Sequence, residues 1–589
     1  MANGFGSLYV GASGLQNSQN ALNTTANNLA NVDTKGYVRQ QVLFADRDYI
    51  TFNTTAAISK QQSGLGVQIA DVVHSRDFFL DRAYRTQAGR QAYYQSTYDA
   101  ALEVETYLQE LEGMTFQSSI EDFWNSFQEF AKAPDDGANQ NLVIQKAQLF
   151  LERAGSVYDG LKEHQYNLNT QISDTIDRVN ELGKTIHELN LEIQKIEADG
   201  LQTAMTLRDA RDLALDELSS LVEVEYHETE SGSVKVSVEG VEFVDDATYH
   251  PIEKKYDKVT GFITPYWGYL SDADRGKYVD VFEFKTEIST ENENDMGKLK
   301  ALLLARGDEV ANYTDVAGVD KDTFNKTTGM SVMLSAQAEL DQLIHGVVTA
   351  LNDIFAPNVA AGKKIEELAG AGTTTLTVTL PDGTTTTIDA DTKILDADNC
   401  STGSDGKLPP QELFVRVGTE RYTEATYTDA QGKTHTIYIY NEEDPTDPSK
   451  QYTLESLDVN KKLLEQENLL PHLTQGNKKV DYDLAKKLAA VWDEKLLVLN
   501  PNDTQPCSFK DYYGAMVGEM STIANVYGAM ASSLEGTVAA ADNQRQQVIG
   551  VSSDEELTYM IKFQNAYNAS SRFINVVDEM IEHLITKLG

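Results

Sequence analysis

MIKFQNAYNASSRFINVVDEMIEHLITKLG, residues 560–589, carries the pattern from which the rest of the fold is read. Stepping by three and four from Met560 gives Phe563, Tyr567, Ser570, Ile574, Val577, Ile581, Leu584 and Leu588, and all of these but Ser570 are apolar or aromatic. A seam repeating every 3.5 residues is what two helices need to wind around one another. The segment therefore requires a partner helix. Residues 8–29 supply one, with Leu8, Leu15, Leu22 and Leu29 at a strict interval of seven and small residues such as Ala12 and Ala26 between them. This run makes a helix of roughly 33 Å at 1.5 Å per residue. Its Asn17, Ser18, Asn20, Asn23, Thr24 and Thr25 make it a weak helix in isolation. The expectation is that the two ends pair, that Leu8, Leu15, Leu22 and Leu29 meet Ile574, Val577, Ile581, Leu584 and Leu588, and that both helices order fully only on assembly.

Between the two ends the periodicity changes several times. From Gln87 to about Val222 the spacing is helical: Phe123, Phe127 and Phe130 line one face before a stop at Pro134 and Gly137, and Leu161 to Ile196 sustain a 3-4 seam. LRDARDLALDELSSLV (207–222) continues the bundle, with its charges expected on the outer face. SVKVSVEGVEFV (233–244) alternates every second residue and turns at Glu239 and Gly240, a hairpin pattern. Helical spacing returns at Leu340, Ile344, Val347, Leu351 and Ile354 and stops at Pro357. TTTLTVTL, a Pro-Asp-Gly turn at 381–383, TTTTI and HTIYIY (435–440) then read as strands. FKDYYGAMVGEM (509–520) opens the final long helix.

The fold class is thus multidomain α+β, with paired terminal coiled-coil helices, a long helical bundle and two inserted β-rich domains. The expected boundaries are 1–45 with 550–589 for the coiled coil, and 46–222, 294–357 and 475–549 for the bundle. Residues 223–293 form one β-rich domain and 358–474 a variable β-rich insertion with short helices.

Bulk composition narrows the function. Lys plus Arg number 49 against 91 Asp plus Glu, a net charge of −42. Without basic runs this excludes nucleic acid or an anionic membrane as the partner. No window is long and apolar enough for a membrane span, and MANGFGSLYVGASGL lacks the basic and apolar regions of a cleaved signal. The two cysteines, Cys400 and Cys507, read as free thiols and build neither a disulfide framework nor a zinc site.

Catalytic and ligand motifs fail on their spacing. Gly183-Lys184-Thr185 lacks the earlier glycine of a phosphate loop, since Arg178 stands there, and His187-Glu188 has no second His one turn on. Asp396, Asp398 and Asp405 lack the glycine and the closing glutamate of a calcium loop. No catalytic residue, metal or cofactor is expected, and the chain reads as a non-enzyme.

NNLANVDTKGYVRQ, residues 27–40, joins a helix stop to a strand: Asn31 favours a turn, Gly36 admits a positive φ, and Tyr37 and Val38 begin an extended segment. In Asn27, Asn28, Ala30, Asn31, Thr34, Gly36, Tyr37 and Arg39 this stretch resembles the signature of the bacterial flagellar axial proteins of rod, hook and hook-associated type. Lys35 stands where many members have proline. The phrases around Trp124 and Phe127, at 207–222, at 509–520 and at 563–580 resemble the hook-associated members that join hook to filament.

That resemblance implies a structural role and self-assembly through the terminal helices, Phe563 and Tyr567 included. The implied partners are further copies in a ring or short helical zone, the hook protein, a second junction protein (hook-associated protein 3) and an export chaperone. It also implies an extracellular place on the flagellum after type III export without a cleaved signal. Residues 358–455 resemble nothing in the family. An adhesin or an embedded enzyme there, or another axial protein altogether, is the alternative reading.

Overall fold

The computed structural model describes residues 2–47, 49–51, 62–109, 115–199, 203–284, 286, 288–476 and 478–588. Thirteen helices occur among them. They are α1 (Ala2–Ala30), α2 (Phe78–Gln109), α3 (Phe116–Lys132), α4 (Gly137–Glu197), α5 (Met205–Leu221), α6 (Lys298–Arg306) and α7 (Lys321–Lys326), followed by α8 (Val332–Phe355), α9 (Gly362–Ala369), α10 (Lys461–Glu465), α11 (Tyr482–Ala490), α12 (Phe509–Ile549) and α13 (Ser553–Leu588).

The bundle is built on α4, a single 61-residue helix. It starts well before the Leu161 seam that announces it, because Asp136 caps its first turn by accepting from the Ala138 N–H at 2.9 Å. The preceding helix, α3, buries Phe116, Phe123, Phe127 and Phe130 completely. These rings meet Phe150 of α4 and Trp492 after α11, with Phe123 edge-on to Trp492 at 5.2 Å. α12 runs along α2, and Tyr513 of α12 donates to the Leu108 carbonyl at 2.5 Å.

The strands attach to this frame. Near the N-terminus, β1 (Gln40–Asp46) and β4 (Val67–His74) form an antiparallel hairpin with a bulge between Leu43 and Phe44, and β2 (Tyr49–Thr51) pairs with β3 (Gln62–Gly64) beyond it. Next, β5 (Val224–Glu228), β6 (Val234–Val238) and β7 (Val241–Val244) make a three-stranded meander, with β8 (Ile252–Tyr256) and β9 (Ile263–Trp267) beside it. The tight turn expected at Glu239 and Gly240 takes φ of 50° and 75°.

The insertion carries a six-stranded antiparallel sheet. Its members are β10 (Asn358–Ala360), β11 (Thr375–Thr379), β12 (Thr385–Asp389), β13 (Lys393–Leu395), β16 (Tyr422–Thr428) and β17 (Thr434–Tyr440), in the order β10-β13-β17-β16-β11-β12. Two short strands, β14 (Ser401–Thr402) and β15 (Phe414–Arg416), leave that sheet to pair with later segments of the chain.

The hydrophobic core divides the chain differently from the expected boundaries. Val234, Val236, Phe243 and Trp267 join the core of the bundle, so the 223–293 segment is a flange of it. Leu413, Phe414, Tyr452, Val459 and Leu470 join the same core. α9 and the six-stranded sheet, through Ile365, Leu376, Val378, Ile388, Ile394, Ala425 and Ile437, enclose a core separate from that of the bundle. The 358–474 segment is therefore a sheet on a stalk that is half bundle. Both cysteines are free.

Candidate functional site

α1 and α13 pack antiparallel along their length. Two glycines set the spacing. A Cβ on Gly11 would stand 2.6 Å from Ile574 Cγ1, and one on Gly14 would stand 2.7 Å from Ser570 Oγ. Further along, Asn28 Nδ2 donates to Glu556 Oε2 at 3.2 Å. On α13 the residues at 560, 563, 567, 570, 574, 577 and 581 are buried or half-buried while most of their neighbours are exposed. Leu584 is 48 % exposed. For Leu588 only the backbone is described.

The pairing expected for α1 is corrected on two points. The seam residues are small: Gly11, Gly14, Ser18, Ala21, Thr25 and Asn28 follow one another at intervals of three and four, and the last four are nearly fully buried. Leu8, Leu15, Leu22 and Leu29 are rotated to the flank of that seam and are half-buried. The register also differs. It sets Leu8 level with Val577, whereas Leu15, Leu22 and Leu29 stand level with Ser570, Phe563 and Glu556, so none of the four leucines stands level with Ile581 or Leu584. The reason is steric: glycine and alanine let the backbones approach where leucine would hold them apart.

A second face of α1 is taken by the hairpin. Asn17 Nδ2 donates to the Val67 carbonyl at 2.5 Å, and Ser13 Oγ accepts from the Val67 N–H at 3.4 Å. Gly66, at φ +94°, lies so close to Ser13 that a Cβ there would stand 2.1 Å from its Oγ. Phe44 of β1 meets Phe563 of α13 at 6.1 Å. What stays open is a stripe on α13: Phe573, Val576, Met580 and Leu584 are each more than 40 % exposed.

The signature folds as a clasp at the foot of this pair. Asn31 N–H donates to the Asn27 carbonyl at 3.1 Å, ending α1, and Gly36 turns the chain at φ +82° against Leu213 of α5. Asn28, 1 % exposed, bonds the backbone of Gln40 in both directions, donating to its carbonyl at 2.9 Å and accepting from its N–H at 3.1 Å, and also accepts from Tyr37 Oη at 2.9 Å. Burial and the nearby Asp209 and Glu556 push the Tyr37 phenol up to about 12. Asn27 Nδ2 donates to Tyr37 Oη at 3.2 Å, and Thr34 Oγ1 to Asn31 Oδ1 at 3.2 Å. Arg39 reaches Glu556 at 2.8 Å and Glu555 at 3.2 Å, with its guanidinium 5.6 Å from the Tyr559 ring centre. Ala30 is exposed.

Three segments of chain lie side by side where this unit meets the bundle. Ser75 N–H donates to the Arg39 carbonyl at 3.0 Å, and Arg39 N–H to the Ile549 carbonyl at 2.9 Å. Beneath them α5 presents Asp209, Asp212 and Asp216, which spacing puts on one helix face. That face is corrected from outward to inward. Asp209 accepts from the Val38 N–H at 3.3 Å, Asp212 pairs with Arg76 and with Arg85 at 3.3 Å, and Asp216 pairs with Arg85 at 2.6 Å and with Arg545 of α12 at 2.7 Å. Composition alone did not reveal this joint. The carboxylates at i, i+3 and i+7 were its one visible signal. Among the described residues, no group of three or more metal-ligating side chains comes together, and no helix is long and apolar enough to cross a membrane.

Comparison with known proteins adds to this geometry. Residues 101–365 match the family model described as the flagellar hook-associated protein FlgK helical domain, residues 8–37 that of the flagella basal body rod protein, and residues 545–587 that of the flagellar basal body rod FlgEFG protein C-terminal. The chain is 27 % identical to flagellar hook-associated protein 1 of Bacillus subtilis over 601 aligned residues, covering 100 % of this chain and 99 % of that one. It is 22 % identical to the protein of that name from Salmonella typhimurium, covering 97 % and 98 %, and 21 % identical to that of Escherichia coli over the same shares. The flagellar hook junction protein FlgK from Burkholderia pseudomallei is a solved structure with 13 % identity and a TM-score of 0.46, covering 80 % of this chain and 100 % of that chain.

Proposed function

We infer that the chain belongs to the flagellar hook-associated protein 1 family and is a structural component of the bacterial flagellum at the junction of hook and filament. The observation that carries this is the end-to-end match to the Bacillus subtilis protein, both termini included. The chain works by self-assembly with hook and filament components and not by catalysis.

The mechanism follows from the terminal pair. α1 and α13 hold each other through a seam of small residues, and the hairpin covers a second face of α1. The apolar stripe of Phe573, Val576, Met580 and Leu584 is left for neighbouring subunits. Burying such a stripe contributes about 1.5–3 kcal/mol per large side chain, which favours the assembled zone over free chains. The half-buried Leu8, Leu15, Leu22 and Leu29 flank complete their burial in the same step. The neighbours are further copies, the hook protein and hook-associated protein 3, reached after chaperone-assisted type III export.

Immunogold electron microscopy of detached flagella, with antibody against residues 358–455, tests the reading. One band between hook and filament is expected. Label along the whole filament or hook, or none, overturns it.

A further inference from the structure

We propose that Asp209, with His74 facing it, is a positioning residue that locks the terminal helical pair onto the bundle, and that the lock is set by a single shared proton. This goes beyond the junction reading and holds for the free chain.

The geometry is that of a peg under two strands. Asp209 is 7 % exposed and sits on α5 of the bundle. Its Oδ2 accepts from the Val38 N–H at 3.3 Å, immediately before β1. Its Oδ1 stands 3.5 Å from Nε2 of His74, the last residue of β4. Gln40 and His74 are paired in the hairpin, so one carboxyl touches the segment leading into β1 and the end of β4 at the base of the hairpin. Among the described residues, neither Asp209 Oδ1 nor His74 Nε2 has another hydrogen-bond partner. Two facing buried atoms without donors leave room for one proton between them, carried on Asp209 and donated to the imidazole nitrogen. In that state the carboxyl serves Val38 and His74 together, and no net charge is buried.

The surroundings favour that state. Burial pushes Asp209 up to about 7, against the pull of the Val38 N–H and Arg76, while Asp212 pushes it the same way. Burial holds His74 down at about 4, helped by Arg76 and Arg208 and opposed by Asp212. The other charged or titratable groups facing the pair are Tyr37 from the signature, whose phenol feels Asp209, and Asp81 of α2 behind Arg76. Arg76 is committed to Asp81 and Asp212, so it does not replace the missing donor. The sign follows: folding favours the Asp209 acid form, so the single-proton lock is held between about pH 4, below which His74 takes up a second proton, and about 7, and it loosens as pH rises through about 7.

Hydrogen exchange on the full chain tests this, with protection at Val38 corrected for intrinsic rate and referenced to Val236 in the bundle. Between pH 6 and pH 8.5, Val38 protection is expected to fall about tenfold in the wild type, one decade matching about 1.4 kcal/mol. Asp209→Asn keeps the acceptor and supplies a permanent donor, and its protection is expected to stay flat. Asp209→Ala is expected to be low throughout. A flat wild-type profile, or an Asp209→Asn profile that falls with the wild type, overturns the proposal. Unchanged Val236 protection in all three chains shows that the bundle stays folded.

Discussion

The bundle and the terminal pair are both helical and are held together by opposite means. In the bundle, Phe116, Phe123, Phe127, Phe150 and Trp492 are fully buried against one another. In the pair, the interface of α1 is glycine, serine, alanine, threonine and asparagine, and among the described side chains Val577 is the one large apolar residue of α13 that is buried. Large interlocked side chains make a core stable within one chain. Small ones give close approach but little buried area. The bundle is complete as a monomer, whereas the pair is half of an interface.

The sharpest way to break that contrast is to attack the bundle. Trp492→Ala removes the ring that Phe123 and Phe127 pack on and is expected to cost about 3–5 kcal/mol in denaturant unfolding. A loss below 1 kcal/mol would place the core elsewhere.

Overpacking the pair is the counterpart. Gly11→Leu drives a side chain into Ile574 and is expected to cost about 1–3 kcal/mol, confined to α1 and α13. Exchange should accelerate at both helices while α4 is unchanged; equal acceleration in α4 would show that pair and bundle unfold as one.

A third test probes the bundle's buried charge. Burial raises the Glu412 carboxyl to about 7, so its folded pKa lies above its unfolded one. The stability it contributes is present below about pH 4.5 and is lost as pH rises through 7. Glu412→Gln should flatten that slope by about 1.4 kcal/mol between pH 6 and 8 in urea titrations. A parallel slope in mutant and wild type would remove Glu412 as its source.

The smallest effect on the free chain is the most telling for assembly. Leu584→Asp, at an exposed site, should change monomer stability by no more than about 0.5 kcal/mol yet abolish incorporation into flagella and motility. Normal motility would show that the open stripe is not a contact.

Much of this was legible in the residues. The 3.5-residue seam of α13 named its buried face from Met560 to Ile581, the Phe123–Phe127–Phe130 face named that of α3, and the turns at Glu239–Gly240 and Gly383 lie between strands as read. The α1 face was misread because leucines at intervals of seven are the louder pattern. The true seam is a run of small residues, whose burial leaves little mark on hydrophobicity. The break at Gly550 that divides the expected final helix into α12 and α13, and the start of α4 at Gly137, were set by capping and packing that periodicity does not report.

Sequence by itself determined which stretches are helical, which faces are apolar, and where the Asn27–Arg39 turn must fall, because these depend on residues within a few positions of one another. Only the tertiary structure decided that Gly11 lies on Ile574, that Asn28 meets Glu556, and that Asp209 turns inward to hold Val38 and His74. Those contacts join residues up to more than five hundred positions apart. A repeating pattern specifies that a face needs covering, but the choice of cover is made by fit, charge and close approach among all the segments the fold brings together.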